Sequence, residues 1–374
     1  MEPEADEATN YTQIPSTSSK DSILANPNLP QELITAILVR LPVKYLLQFK
    51  CVSKDWFALI SSPEFVKTHL SFSHKDSIHH RLMLKLFTPN HFLRHCSVSS
   101  LFYESVSQAF DLDYPMKGPD KSARVFIVGS VNGLICCHIA FDGFILWNPS
   151  TRKFKQVPDL VPTQMNNYRC SYGFGYDEVH DDYKVVAVFC EISKHNDDAK
   201  IYSLRSDSWR TLDDFQGGMV YHSSPKLVNG KLHWVTTVGD GRGIMSIDLV
   251  VEKCRKVEQP CFGEGNSLVT LGVLGSDLSV ICNYQRNNQI IQADVWIMKE
   301  YGVKESWTKL YTIKNPIYML CPPLCMSNEG ILAVLKSTLM IYNSKDDLMR
   351  YPKVTNVDGG LAAELYIESL VCPV

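Results

Sequence analysis

Six of the eleven histidines fall between His69 and His95, and His91, His95 and Cys96 lie close enough in sequence to share a metal ion if a helix carried them. The residues around them read as strand and loop, and no matching second pair follows, so the spacing does not build a four-ligand zinc set. Gly239-Asp240-Gly241-Arg242-Gly243 has the glycine density of a phosphate loop. It lacks a following Lys-Ser/Thr and a helix to aim backbone N–H groups at an anion, so it reads as a hairpin tip. The adjacent carboxylates Asp181 and Asp182 fall in a turn, where solvated acids are ordinary, and no GxSxG, HExxH or kinase-like set occurs. No catalytic residue, metal ligand or cofactor site is expected. The chain should act by binding.

With 374 residues, 45% hydrophobic and 21% charged, the chain can bury a core large enough for more than one domain. Lys+Arg 37 against Asp+Glu 40 gives a formal net charge of -3, without the field that phosphate backbones or anionic lipid demand. Nucleic acid and membrane are therefore not expected partners. The acidic start, Met1-Glu2-Pro3-Glu4-Ala5-Asp6-Glu7, is unlike a secretory signal and no apolar run approaches a membrane span. A cytoplasmic and/or nuclear protein is expected. Its 12 cysteines are scattered in apolar stretches without CxxC spacing and read as small buried hydrophobes in a reducing compartment. The sequon Asn10-Tyr11-Thr12 carries no weight without secretion.

The elements that would support binding fall into two grammars. After a polar stretch, residues 1–27, expected to be a disordered tail, the segment 28–70 has helical periodicity: Leu33, Ile34, Ile37, Leu38 and Leu41 recur at three- and four-residue spacing. Pro30 suits a first helical position, Pro42 ends the first helix and opens a second, and Ser53 and Ser62-Pro63 open a third and a fourth. Residues 71–80 read as a polar linker. From residue 81 to 374 short Val/Ile/Leu/aromatic runs alternate with Gly, Asn, Asp and Pro turns. Gly133, Asp182, Gly230, Asp277 and Gly330 each precede such a run, at intervals of 49, 48, 47 and 53 residues. A second run and a bulky residue (Phe154, Trp209, Cys254, Trp307, Met349) follow each one.

Multi-stranded repeats of that length predict β-propeller blades. Five are read directly; a sixth is expected near residues 82–87, paired with a strand at 97–103, and residues 362–371 should supply a closing strand. The fold class expected is thus mostly β, a propeller of about six blades behind a small helical module. A β-sandwich with irregular hairpins is the competing arrangement.

Leu29-Pro30-Gln31-Glu32-Leu33, Leu41-Pro42 twelve residues after the first Leu-Pro, Val52-Ser53-Lys54-Asp55-Trp56 and Ser61-Ser62-Pro63-Glu64-Phe65 together resemble an F-box. The remainder is similar to the F-box-associated, kelch-like domain of plant F-box proteins, the group that includes S-locus F-box proteins and kelch-like regulators of immunity. That resemblance rests on Gly129-Ser130-Val131-Asn132-Gly133-Leu134-Ile135, Trp147-Asn148-Pro149-Ser150-Thr151-Arg152, Tyr172-Gly173-Phe174-Gly175-Tyr176-Asp177 and Asp294-Val295-Trp296-Ile297-Met298-Lys299. It implies a non-catalytic substrate-recognition subunit of an SCF-type ubiquitin ligase. Such a subunit binds a Skp-type adaptor, through it a cullin and a RING subunit, and captures a target protein on its β domain. On the matching residues the adaptor contacts would be Leu29, Pro30, Leu33, Leu41, Pro42, Leu46, Val52 and Trp56, with Leu38 and Ile60 as private core.

A module with so many Leu, Ile and Trp cannot turn all of them inward, which independently calls for a protein partner. Arg40, Lys44, Lys50, Lys54 and Lys67 outnumber Glu32, Asp55 and Glu64, so an acidic partner surface would be steered onto it. The long polar connectors at residues 158–169, 191–199 and 258–266 are the expected target-contacting loops. The alternative function, a free-standing propeller that binds a small ligand or glycan, leaves residues 29–70 without a purpose.

Overall fold

The computed structural model describes residues 29–87, 93–115, 125–140, 143–160, 168–191, 197–213, 215, 224–238, 241–262, 267–287 and 289–373. The tail expected over residues 1–27 lies outside them, as do His91 and most of the three long connectors.

Four helices open the described chain: α1 (Gln31–Leu38), α2 (Val43–Phe49), α3 (Lys54–Ser61) and α4 (Pro63–Lys75). Pro30 and Pro42 precede α1 and α2 as their caps, one residue earlier than the first-turn place expected for Pro30. Ser53 Oγ accepts from the Trp56 N–H and Ser62 Oγ from the Phe65 N–H, each satisfying a donor that the helix start leaves open. Leu38, Val39, Val43, Leu46, Ile60 and Phe65 form the core of this module.

Residues 71–80 are not a linker: α4 runs on to Lys75 and a 3-10 turn spans Ser77–His79. The polar composition misleads because the few inward-facing side chains here and in the preceding turn, His69, Ser73 and His79, are buried. His69 Nε2 donates to the Leu41 carbonyl, and Ser73 Oγ donates to the His69 carbonyl. Among the described residues no helix is long and apolar enough to cross a membrane.

Among the described residues the rest of the chain forms six four-stranded antiparallel sheets arranged as propeller blades, and a short parallel pair, Val106–Gln108 with Lys353–Thr355. Blade 1 is assembled from both ends of the domain: Leu361–Ile367, then His80–Leu86, Leu93–Ser97 and Phe110–Asp111. Blade 2 runs Val125–Val131, Leu134–Ile139, Gly143–Asn148, Lys153–Gln156, and blade 3 Tyr168–Asp177, Asp182–Glu191, Asp197–Ser203, Ser208–Thr211. Blade 4 holds Lys226–Val228, Lys231–Val238, Gly241–Asp248 and Cys254–Val257. Blade 5 is Ser267–Leu274, Asp277–Arg286, Gln289–Met298, Trp307–Ile317; blade 6 is Cys325–Ser327, Gly330–Leu335, Thr338–Asn343, Leu348–Arg350.

Six apolar clusters lie one between each consecutive pair of blades, including one that joins Leu82 and Leu84 of blade 1 to Leu332 and Val334 of blade 6. That arrangement is a closed ring and excludes the sandwich. It also explains why second strands read as continuous apolar runs: Leu134 and Cys136 face blade 3 while Ile135 and Cys137 face blade 1, so both faces are buried. The spaced residues open those second strands, and Asn132-Gly133 and Asn229-Gly230 hold positive φ in the turns before them.

One strand is corrected. His80–Leu86 pairs with Leu93–Ser97, whereas residues 98–103 form a short helix, α5 (Val98–Tyr103). Its β-prone sequence is overridden by a local bond, from Ser100 Oγ to the Ser97 carbonyl, and by a tertiary one, since the Arg350 guanidinium donates to the Leu101 and Phe102 carbonyls.

Candidate interaction surfaces

In each four-stranded blade the chain reverses three times, so first-to-second and third-to-fourth turns share one rim and the remaining connections share the other. The helical module sits on the first of these rims. Lys67 of α4 pairs with Asp181 at 2.7 Å, and His74 Nε2 donates to Asn132 Oδ1 at 3.2 Å; both partners belong to first-to-second turns, of blades 3 and 2. Val66 and Leu70 of α4 pack into the apolar cluster between those two blades. The strand ends that flank connectors 158–169, 191–199 and 258–266 all lie on the opposite rim. Among the described residues the four-helix module packs on one rim, at blades 2 and 3, and no helix packs on the other.

The joint is completed by the end of the chain. Leu370 inserts into the core of the helical module, and Val371 joins the cluster between blades 2 and 3. Asn148 of blade 2, fully buried, holds this tail by donating from Nδ2 to the Ser369 and Val371 carbonyls, while its Oδ1 accepts from the Ser150 and Thr151 N–H groups. Ser369 Oγ donates to the Asn132 carbonyl, and the tail passes so close to Gly133 that an added Cβ there would meet Ser369 Oγ at 2.2 Å. Trp147-Asn148-Pro149-Ser150-Thr151 is thus both a turn and an anchor for a segment more than 200 residues away.

The adaptor residues expected from sequence divide by exposure. Leu29, Pro30, Leu33 and Val52 are exposed, Leu33 at 51% and Val52 at 63%, and Leu41, Pro42 and Trp56 are half-buried. Leu46 is corrected: it is 0% exposed at the centre of the helical core, because α2 turns its Val43–Leu46 side inward, so it supports the surface without belonging to it. Ile37, Tyr45 and Phe57, not singled out from the sequence, are exposed large apolar side chains on α1, α2 and α3. The signal for Ile37 was present, since Leu33 and Ile37 lie four residues apart on one face of α1, with Leu29 just before its cap. Arg40, Lys44 and Lys54 are exposed on the same module. An apolar stripe bordered by cations is therefore left uncovered.

The polar groups that could have done chemistry have structural partners. Asp182 is buried and accepts from Ser203 Oγ at 2.6 Å and from the Arg205 N–H, and Asp181 is held by Lys67 and Tyr176. The Lys67 hydrogen bond depresses the Asp181 pKa. Buried Lys184 Nζ reaches Asp177 at 2.8 Å, Glu252 at 2.9 Å and the Leu249 carbonyl at 2.6 Å, bolting blade 3 to blade 4. Burial alone would raise the Asp177 pKa, but hydrogen bonds from Lys184 and His180 outweigh it and hold the carboxyl at about 2.

His95 is hydrogen-bonded to Tyr366 at 2.8 Å, and burial pushes the Cys96 and Cys137 thiols up to about 12. Among the described residues no group of three His, Cys, Asp or Glu side chains could hold a metal ion. Gly241 opens the third strand of blade 4 opposite Val238, the place of a hairpin. At the ring axis Lys226 of blade 4 approaches Glu364 of blade 1 at 3.6 Å, spanning the channel between opposite blades.

Comparison with known proteins agrees with this division. Residues 27–68 match the F-box domain, and residues 86–370 match the F-box associated beta propeller domain. An F-box/kelch-repeat protein of Arabidopsis thaliana is 33% identical over 357 residues, covering 92% of this chain and 96% of its own length. The F-box protein CPR1 of the same plant is 29% identical over 382 residues, covering 92% and 88%. An F-box joined to such a propeller carries a substrate-recognition role in SCF-type ubiquitination in general. With a helical module on one rim of a six-bladed ring and matches that run through both parts, the chain belongs to the plant F-box proteins that carry an F-box-associated β-propeller domain.

Proposed function

We propose that this protein is a non-catalytic receptor that holds a target protein on the open rim of its propeller and a Skp-type adaptor on its F-box, and through the adaptor recruits a cullin and a RING subunit. The observation that carries the reading is the set of exposed apolar side chains Leu33 and Ile37 on one face of α1, Leu29 just before it, and Val52 and Phe57, on the part of the F-box that the propeller leaves free. Isolated apolar side chains on a surface are ordinary, but this many on so small a module amount to an interface. The flanking cations favour an acidic adaptor surface. Work of this kind belongs in the cytoplasm and/or nucleus, where ubiquitin transfer to soluble targets occurs.

The small-ligand alternative gains nothing from the ring axis, which Lys226 and Glu364 span. Co-expression of the full chain with a Skp-type adaptor tests the proposal. A stable one-to-one complex on size-exclusion chromatography is expected for the natural chain and should be lost in Leu33→Asp/Val52→Asp, whose altered side chains are solvent-exposed. Failure of the natural chain to form the complex would sink the proposal.

A further inference from the structure

We propose that the open rim where blades 6 and 1 meet recognises an acidic segment of a partner protein that also carries an aromatic or aliphatic side chain. The inference rests on the receptor reading above and names the chemistry of the target.

A continuous set of residues forms the surface. Lys336 lies over the Tyr318 ring at 4.3 Å to the centroid, and its Nζ donates to the Tyr318 hydroxyl at 2.8 Å. The next residue, Ser337, accepts at its carbonyl from the Leu361 N–H, and a Cβ at Gly360 would meet Ser337 at 3.1 Å and Phe87 at 3.2 Å. Phe87 is 55% exposed although its N–H is bonded to the Gly360 carbonyl. Two residues earlier, Lys85 lies over Phe126 at 4.6 Å. Lys336 on blade 6 and Lys85, turned toward Phe126 of blade 2, thus lie on either side of the exposed phenylalanine of blade 1, and Met319 is exposed beside Tyr318.

Charge complementarity selects the occupant. Arg286, exposed at the same rim of blade 5, adds to Lys85 and Lys336. The corresponding strand ends of blade 3 carry Glu191 and Asp198 beside Arg169, so among the described residues the cationic sector of the rim coincides with its aromatic one. Cations positioned on ring faces hold their charge at a fixed place, suited to carboxylates flanking an apolar side chain.

The backbone gives a second, independent sign. Lys336 and Ser337 form the two-residue turn between the second and third strands of blade 6 with φ of 47° and 57°. Such turns favour Asn-Gly because positive φ crowds a Cβ. The chain instead puts a lysine there, and strained positions of this kind cluster at functional sites.

The test uses the full chain in complex with its adaptor. The probes are a fluorescein-labelled ten-residue peptide of glutamates with two phenylalanines, the same peptide with lysines for the glutamates, and an oligonucleotide of matched negative charge. Fluorescence anisotropy should show the acidic peptide bound at least about tenfold more tightly than the basic one and weakened by salt. Lys85→Glu/Lys336→Glu should lose binding by at least about tenfold. Lys336→Asn/Ser337→Gly should melt at a higher temperature than the natural chain yet bind the peptide more weakly, which separates recognition from folding.

Equal binding of both peptides, equal binding of the oligonucleotide, or acidic-peptide binding unchanged in both variants would overturn the inference. If the adaptor stays bound in those samples, the receptor reading stands without it. If the adaptor never binds while the peptide does, the receptor reading fails and the rim surface remains.

Discussion

Asn148 Nδ2 donates to the Val371 carbonyl at 2.7 Å, so the foot of blade 2 grips a tail whose neighbouring residue, Leu370, is part of the F-box core. The two domains of this receptor are thereby joined by three segments: α4, the turns it touches, and the C-terminal tail. On the proposed function, a target on the far rim would be held at a set distance from the adaptor surface, as transfer of ubiquitin by subunits bound there requires.

Replacement of Asn148 by Ala removes donors to two carbonyls and the acceptor that shapes the Asn148–Thr151 turn. Each buried group left unpaired costs about 1–3 kcal/mol. The variant should therefore unfold at clearly lower denaturant, with the F-box loosened first. Hydrogen exchange resolves this: α1 to α3 should lose protection while blades 4 to 6 keep theirs, and unchanged protection in α1 to α3 would refute the coupling.

The joint was the part least legible in the sequence. Repeat spacing around Gly133, Asp182, Gly230, Asp277 and Gly330 exposes the blades because each blade is a local meander, and serine caps expose α3 and α4 because capping is local chemistry. Nothing local marks Leu370 as a residue of the F-box core, or Lys184 as the bolt between blades 3 and 4, since their partners lie far along the chain. Leu46 shows the same limit on the surface: a leucine inside an F-box motif looks like any other until the rotation of α2 decides that it points inward. The exposed stripe was half legible, because four-residue steps define a helix face without saying which face is covered.

Two truncations separate ring closure from the joint. Removing residues 361–374 deletes the inner strand of blade 1, which pairs with His80–Leu86 along seven positions, and exposes the edges of blades 1 and 6. Cooperative loss of the β signal or aggregation is expected. Removing only residues 368–374 should keep the β-rich circular dichroism and weaken the F-box, since loss of Leu370 from a packed core costs about 2–5 kcal/mol. If both truncated chains melt like the full one, closure by the C-terminal strand contributes nothing.

Lys184→Met tests the bolt between blades 3 and 4. Methionine keeps most of the volume but leaves buried Asp177 without its ammonium partner and weakens the hold on Glu252. Removing one partner of a buried pair costs about 3–5 kcal/mol, more than a surface ion pair is worth. Chemical denaturation should register a loss of that order. The double change Lys184→Met/Asp177→Asn should recover part of it, and no recovery would show that packing, not charge, sets the cost.

His79 makes stability pH-dependent. Its ring is buried with neither nitrogen partnered, and burial, with His69 beside it, lowers its pKa to about 4, with Arg81 and His80 acting the same way and Asp76 opposing. In the unfolded chain a histidine titrates near 6.5, so above that pH both states are neutral and the stabilisation is complete. As pH falls from about 6.5 to 4 the unfolded chain takes up a proton that the folded one refuses, and stability drops by at most about 1.4 kcal/mol per pH unit for each such group, less where water screens it. His95 and His233, whose pKa values burial also lowers to about 4, add to the effect. His79→Phe should be neutral or stabilising at pH 7 and should flatten the decline of melting temperature between pH 7 and 5. An unaltered slope would exonerate His79.

Recognition and destruction should be separable, but not by cutting the chain where the sequence suggests. Deleting residues 1–70 would sever α4 in its middle, strip Val66 and Leu70 from the cluster between blades 2 and 3, and leave Leu370 exposed, so such a fragment would fail for reasons unrelated to targets. Substitution on the exposed stripe avoids this: Leu33→Asp/Val52→Asp changes the adaptor surface while leaving the buried core of Leu38, Val43, Leu46 and Ile60 intact. In cells this variant should bind the target without delivering it, so target levels rise above those in cells lacking the protein, whereas the natural chain lowers them in a proteasome-dependent way. Charge reversal at Lys85 and Lys336 on the far rim should do the opposite, keeping the adaptor and losing the target. The two variants therefore make distinct failures of one process, and mixing them should not restore it, because each chain lacks one of the two surfaces that must be carried on a single rigid body. If the mixture did restore degradation, the two surfaces would be acting on separate molecules, and the rigid joint built around Asn148 and Leu370 would have no part in delivery.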